Sequence, residues 1–292
     1  MAALLTVNDL EQSTESLFPY LQRAKELKDI YLKYVATSVD DNYTYKVDVY
    51  GSKGRANGIH ASESAGCWRP TVYSLMQTER QPSKEIDVNM LMRFNIGKAV
   101  HAMIQAEWHR IAEKSGGRIR FEDEVQINPS LQKVSEEWNL HSSCDGLITL
   151  CDLNGNPEVR VGLEIKTESD PQFKELKEPR PKHREQTNLY MAALDVPLML
   201  VLYYNKSNSN ITDSAYPWLY TFDKKLWEDK QLMRFAKQMY LASIGELPEK
   251  SEGIECGWCP YAWTCGPKVT GRVRAQTKAK KHVTARGLKV TR

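Results

Sequence analysis

Val161-Gly-Leu-Glu-Ile-Lys166 alternates without a break, with Val161, Leu163 and Ile165 on one face and Gly162, Glu164 and Lys166 on the other. A strand with this pattern buries one side and projects a carboxylate and an ammonium together from the other. Strand-like runs at 139–150 and 158–166 flank the turn Asp152-Leu-Asn-Gly-Asn156, which predicts an antiparallel hairpin. In that hairpin the Cys144-Asp145-Gly146 step sets a second acid across from Glu164. Two acids and a lysine converge.

Outward from the hairpin the chain reads as a mixture of helices and strands. Leu17, Tyr20, Leu21, Ala24, Leu27, Ile30, Tyr31 and Tyr34 recur at helical spacing, so residues 9–36 are expected to form an amphipathic helix that Pro19 kinks or starts. A polar, Gly/Ser-rich stretch at 37–66 leads to Cys67 and a short helix near Trp68 to Gln77. Residues 89–114 read as a second long helix with Phe94, Gly97, His101, Ile104 and Trp108 along one face, which turns His101 inward. A strand is expected at 121–128, before the hairpin. A charged loop at 168–182 then precedes a helix at 183–194, strands at 198–204 and 215–222 around a polar turn at 205–210, and a helix at 224–244. This order fits a mixed α/β core better than a regular strand-and-crossover alternation.

With 292 residues, 41% hydrophobic and 26% charged, the composition is that of an ordinary globular protein. The N-terminal residues show no basic segment followed by an apolar run, and no span of about 18 apolar residues occurs anywhere. The expectation is a soluble, cytoplasmic protein with no membrane association. Of the 40 Lys and Arg residues, nine fall within 268–292, which holds no acid; the remaining 31 face 37 acids, a net of −6. A tail this basic and this poor in large apolar residues is expected to be disordered in isolation. Polyanion binding is favoured over a merely solvating role, with Lys278, Lys280 and Lys281 as candidate contacts.

Two carboxylates suit a hard divalent cation, which polarises a phosphate and lowers the pKa of a bound water. Lys166 would orient that water or offset developing negative charge. The plain alternative is a charged strand with an incidental salt bridge, and for His101 a core histidine bonded to a backbone carbonyl. A second constellation is Cys256-Gly-Trp-Cys259-Pro-Tyr-Ala-Trp-Thr-Cys265, with Cys67 available as a fourth thiolate. Soft sulfur ligands suit zinc or an iron-sulfur cluster, and spacing does not decide between them. Cys144 and Cys151 read as buried strand residues.

Asp145, 19 residues before Glu164-Ile165-Lys166, resembles the D…(D/E)-x-K signature of the PD-(D/E)XK nucleases. Gly97-Lys-Ala-Val-His101 upstream and His183-Arg-Glu-Gln186-Thr-Asn-Leu-Tyr190 downstream resemble the flanking motifs of the RecB-like branch. Cys144 stands where that motif often has proline, and Ser143 where it often has glycine; neither departure removes a ligand. One cysteine before and three after the core resemble the iron-sulfur arrangement of CRISPR-associated RecB-like exonucleases. The likeness spans about residues 65–266.

The resemblance implies a restriction-endonuclease-like mixed β-sheet core flanked by helices, with a four-cysteine iron-sulfur module. Its organisation would be an N-terminal helical element (1–60), a nuclease domain whose two ends form the iron-sulfur site (61–267) and a basic tail (268–292). It implies Asp145, Glu164, the Ile165 carbonyl and His101 as ligands of Mg2+ or Mn2+, and Lys166 as the catalytic lysine. Gln186 and Tyr190 would position the lysine and the nucleic-acid backbone, and His183 is a further DNA-binding candidate. Cys67, Cys256, Cys259 and Cys265 would hold a 4Fe-4S cluster, with zinc as the alternative. Trp68, Trp258 and Trp263 would shield that cluster.

The implied activity is 5′-to-3′ exonucleolytic cleavage of single-stranded DNA or single-stranded ends. The setting would be the cytoplasm, or a host cell's cytoplasm for a phage enzyme, with a possible protein partner in recombination or CRISPR adaptation. A structure-specific endonuclease and a subunit that trims DNA for CRISPR adaptation remain open on the same core. So does a nucleic-acid-binding protein with an inactive centre.

Overall fold

The computed structural model describes residues 18–37, 56–63, 65–80, 88–207, 215–251, 256 and 259–266. The expected helical turns at 9–17, part of the 205–210 turn, Trp258 and the whole basic tail, with Lys278, Lys280 and Lys281, lie outside the described residues. The chain divides into two compact units, one of residues 1–66 and 87–237 and one of residues 67–86 and 238–292.

The first unit is built on a five-stranded mixed sheet in the order β1-β2-β3-β4-β5. Its strands are β1 (Ile119–Ile127), β2 (Ser142–Cys151), β3 (Pro157–Glu168), β4 (Leu198–Asn205) and β5 (Ala215–Thr221). The predicted hairpin is present: β2 and β3 pair antiparallel, as do β1 with β2 and β4 with β5. Only β3 and β4 run parallel, joined through helix α6 (Pro181–Leu194). The expected mixed α/β architecture is what the chain adopts.

Both faces of the central strands are covered, so β4 reads as an almost continuous apolar run, Leu-Met-Leu-Val-Leu-Tyr-Tyr-Asn. On one face Val159, Val161, Leu163 and Ile165 enter a core with Ala24, Leu27 and Tyr31 of α1 (Phe18–Thr37) and Ile104 and Trp108 of α3 (Val88–Lys114). Tyr31 stacks on Trp108 at 5.7 Å and donates its hydroxyl to Glu107 at 2.6 Å, which ties α1 to α3. Glu164 and Lys166 emerge on the other face, where they meet Gln186 of α6. Gly162 permits this packing, since a Cβ there would lie 2.5 Å from Met199 Cε.

Two short helices were not foreseen: α4 (Lys133–Trp138), just before β2, and α5 (Asp170–Lys174), within the loop read as irregular. The final helix begins with a wider-wound π segment at Leu226–Leu232 and continues as α7 (Met233–Ile244). There Gln231 donates to the Glu185 carbonyl at 2.7 Å and accepts from Asn188 at 2.9 Å, which fastens the π segment to α6.

The second unit contains α2 (Arg69–Leu75) and the turns around Cys259 to Gly266. Tyr73 stacks on Tyr261 at 5.1 Å, and Arg80 Nε donates to the Tyr261 hydroxyl at 3.1 Å. Among the described residues no helix is long and apolar enough to cross a membrane.

Candidate active site and four-cysteine module

The hairpin opens where its acids lie. Ladder pairing between β2 and β3 runs from Cys151–Pro157 to Gly146–Leu163 and stops one pair short of Asp145 and Glu164. At that opening the Ile165 N–H donates to Asp145 Oδ2 at 2.6 Å, so a side chain takes the place of a ladder partner. His101 of α3 brings Nδ1 to 3.3 Å from Asp145 Oδ1. The inward face predicted for His101 is therefore a face toward an acid, not toward a backbone carbonyl.

Glu164 is 3% exposed, so its charge needs a partner close by. Burial, then the charge of Asp145, pushes its pKa up to about 7, against the opposing pull of Lys166. Lys166 Nζ donates to Glu164 Oε1 at 2.5 Å and to Gln186 Oε1 at 3.0 Å. Gln186 Nε2 in turn donates to Glu164 Oε1 at 2.9 Å and to the Tyr190 hydroxyl at 2.9 Å, which also accepts from Ser142 Oγ at 3.3 Å. Gln186 and Tyr190, one turn apart on α6, thus reach the lysine in series. Tyr190 is buried and meets Gln186, not solvent.

Burial opposes charge on His101, but the hydrogen bond and charge of Asp145, reinforced by Glu164, leave its pKa raised. His183, offered as a DNA contact, is 9% exposed, with Nδ1 2.7 Å from the Tyr203 hydroxyl. Burial first, then the charges of Lys166, Lys182 and Arg180, lowers it to about 3, so this ring is neutral. Two residues that sequence reasoning passed over also touch the site: Gln105, which donates to the Asp145 carbonyl, and Glu124. The signal for Gln105 was available, since it lies four residues after His101 and therefore one turn along the same helix face. Nothing in the sequence marks Glu124.

Cys67, Cys256, Cys259 and Cys265 all fall in the second unit, are half-buried and form no disulfide. Burial, then the neighbouring Cys265, Cys67 and Cys256, raises the Cys259 thiol. Arg69 Nη1 donates to Cys265 Sγ at 3.3 Å. Trp263 is 78% exposed, so the shielding expected of it is not seen; it projects from the turn that carries Cys265. Cys144 and Cys151 are buried on β2 as expected.

Among the described residues no three His, Cys, Asp or Glu side chains stand in metal-holding geometry. At the carboxylate centre His101, the Ile165 N–H and Lys166 stand against three of the four carboxylate oxygens. The donor chemistry still fits a hard cation. Two carboxylates share one buried place, one of them with its pKa raised to about 7 by burial and then by the other's charge, and an imidazole adjoins them.

No family model and no curated sequence matches the chain. Among solved structures, SSO0001 is similar over 84% of this chain and 97% of its own, at 14% identity and a TM-score of 0.43. LHK-Exo in complex with dAMP gives 13% identity and a TM-score of 0.47 over 65% of this chain and 90% of its own. An alkaline exonuclease (LHK-Exo) from Laribacter hongkongensis gives 12% and 0.40 over 66% and 91%. Likeness at this level assigns neither a family nor an activity.

Proposed function

We propose that the chain is a divalent-metal-dependent DNA nuclease of the PD-(D/E)XK type that degrades single-stranded DNA or single-stranded ends from 5′ to 3′. The observation that carries this reading is the joining of Lys166 to Glu164 and Gln186 beside Asp145, on strands that part at that point. An incidental surface salt bridge would be exposed and singly bonded; this one is buried and held from α6.

Asp145, Glu164, the Ile165 carbonyl and His101 would hold Mg2+ or Mn2+. When bound, the cation supplies Lewis-acid polarisation of a phosphate and a water of lowered pKa. Gln186 fixes the Lys166 ammonium through its Oε1, Tyr190 holds Gln186, and Ser142 holds Tyr190. Glu164 would hold the cation, and Lys166, kept by Gln186 Oε1, would face the phosphate as a positive donor. The imidazole at His101 favours Mn2+ over Mg2+ as activator.

The four cysteines would hold a 4Fe-4S cluster, or zinc in its place, that ties residues 67–86 to residues 238–292 within their own unit. The basic tail would hold DNA.

Digestion of 5′- and 3′-labelled single strands with Mg2+ or Mn2+, beside Asp145→Ala, tests the assignment. Release of label from the 5′ end first, and none with Asp145→Ala, is expected. Equal activity in the variant, or none in the wild type with either metal, would end it.

A further inference from the structure

We propose that Gln105 and Glu124 form a brace that positions Asp145 for metal binding, an inference that rests on the nuclease reading of the site. Both residues sit outside the D…E-x-K constellation, and they act on Asp145 from its backbone side.

Pairing of β1 with β2 runs in constant register through Asp123–Gly146 and resumes at Val125–Cys144. Glu124 and Asp145 face each other in the gap. Glu124 takes φ +47°, the left-handed region that non-glycine residues seldom adopt. Among the described residues three other non-glycine residues have positive φ, and all lie at helix C-termini, where such a turn is ordinary: Gln77 beyond α2, Asn139 at α4 and Asp195 at α6. Glu124 alone of the four is inside a strand, so something holds it there.

What holds it is Gln105. This side chain is 7% exposed, and its Nε2 donates to Asp145 O at 2.9 Å and to Glu124 Oε1 at 3.0 Å. Both partners are acceptors, so the amide orientation is fixed: only the NH2 end satisfies both. The carbonyl of Asp145, standing in the gap between β1 and β2, thereby gains a donor. The charge on Glu124 strengthens the bond that Gln105 makes, since a carboxylate acceptor anchors the amide more firmly than a neutral one.

Helix α3 therefore grips Asp145 twice, by His101 at the carboxylate and by Gln105 at the carbonyl, one turn apart. With Ile165 N–H on Oδ2, three contacts from two elements fix one acid. Restraint of that kind is what outer partners of metal ligands supply, and its loss typically costs about 10- to 100-fold in metal affinity or activity.

Glu124→Gly separates positioning from folding. Glycine accepts φ +47° without strain, so this variant should melt at the wild-type temperature or above it. If Glu124 is incidental, metal binding should also be unchanged. The brace instead requires weaker Mn2+ binding, read by electron paramagnetic resonance of the full chain without DNA, by about tenfold in Glu124→Gly and at least as much in Gln105→Leu. Glu124→Gln, which keeps an acceptor, should stay within about threefold of wild type. In cleavage assays the loss should fall on the Mn2+ concentration for half-maximal rate, with the KM for DNA unchanged.

Wild-type Mn2+ binding with equal affinity in Glu124→Gly and Gln105→Leu would overturn the brace and leave the nuclease reading standing. Absence of both Mn2+ binding and cleavage in the wild type would overturn the nuclease reading, and the brace with it.

Discussion

The two groups of candidate ligands are prepared in opposite ways. In the sheet, the oxygens of Asp145 and Glu164 are already engaged by Lys166, Gln186, His101 and the Ile165 N–H, so this site is organised around hydrogen bonds. Among the described residues of the second unit, the thiols meet separate partners and no shared network: Cys265 takes a donor from Arg69, the Tyr261 backbone bonds Cys259, and Cys256 lies 3.9 Å from the Ser251 carbonyl. Carboxylates need constant pairing in a buried place, whereas thiols tolerate burial unpaired and acquire charge only when a metal or a cation demands it. A site of the first kind should keep its shape without metal; one of the second kind should owe its shape to the metal.

Two substitutions test that contrast directly, beginning with the largest effect. Lys166→Met should reduce cleavage at saturating DNA and Mn2+ by about 100- to 1,000-fold, the scale of losing one charge-stabilising donor. The fold should survive, because Glu164 can take up a proton once its ammonium partner is gone. Cleavage at the wild-type rate would show that the lysine only neutralises Glu164. Cys259→Ser should leave cleavage per folded molecule less affected but abolish bound iron or zinc, measured by elemental analysis after anaerobic purification, and lower Tm. Full metal content in that variant would remove Cys259 from the ligand set.

The carboxylate site also predicts a dependence on pH. Glu164 has its folded pKa raised to about 7, so the metal-free protein binds that proton more tightly than the unfolded chain does. This contribution to stability is present below the ordinary glutamate pKa and is lost as pH rises through about 7. His101, also raised, acts in the same direction. Metal-free protein should thus lose Tm as pH rises across this window, Mn2+ should restore it, and Glu164→Gln should flatten the slope. Below pH 7 the apparent Mn2+ affinity should fall by about tenfold per pH unit for each competing proton, so by at most about 100-fold per unit where Glu164 and His101 both hold one. A pH-independent Mn2+ affinity between 5 and 8 would separate Glu164 from the metal.

Much of this was legible because strands write their faces into the sequence. The alternation from Val161 to Lys166 and the turn at 152–156 fixed the hairpin, and the spacing of Asp145 to Glu164 fixed which residues meet at its opening. Helical spacing likewise put His101 on the inner stripe of α3. Long-range register was not legible: which strand lies parallel to β3, and that Glu124 falls opposite Asp145, depend on pairings between segments far apart in the chain. The left-handed backbone at Glu124 has no local mark, since glutamate is not a residue that favours it. His183 was misjudged for a related reason: its place on α6 was read correctly, but Tyr203, which covers it, comes from β4.

That misjudged ring gives the smallest expected effect. The Tyr203 hydroxyl accepts from the Arg180 N–H at 3.1 Å, which directs its own proton to His183 Nδ1, and a ring that accepts there is neutral. With a folded pKa lowered to about 3 against an unfolded value of about 6.5, His183 contributes stability that is present above pH 6.5 and is lost as pH falls toward 3. His183→Asn keeps an acceptor near the position of Nδ1 and cannot titrate, so its Tm should fall less steeply than wild type between pH 6.5 and 4. DNA affinity at pH 7.5, measured by fluorescence anisotropy in a metal-free buffer, should change by less than about twofold, because a buried neutral ring neutralises no phosphate. A loss of several-fold in affinity with an unchanged acid slope would return His183 to the DNA surface and displace Tyr203 as its partner.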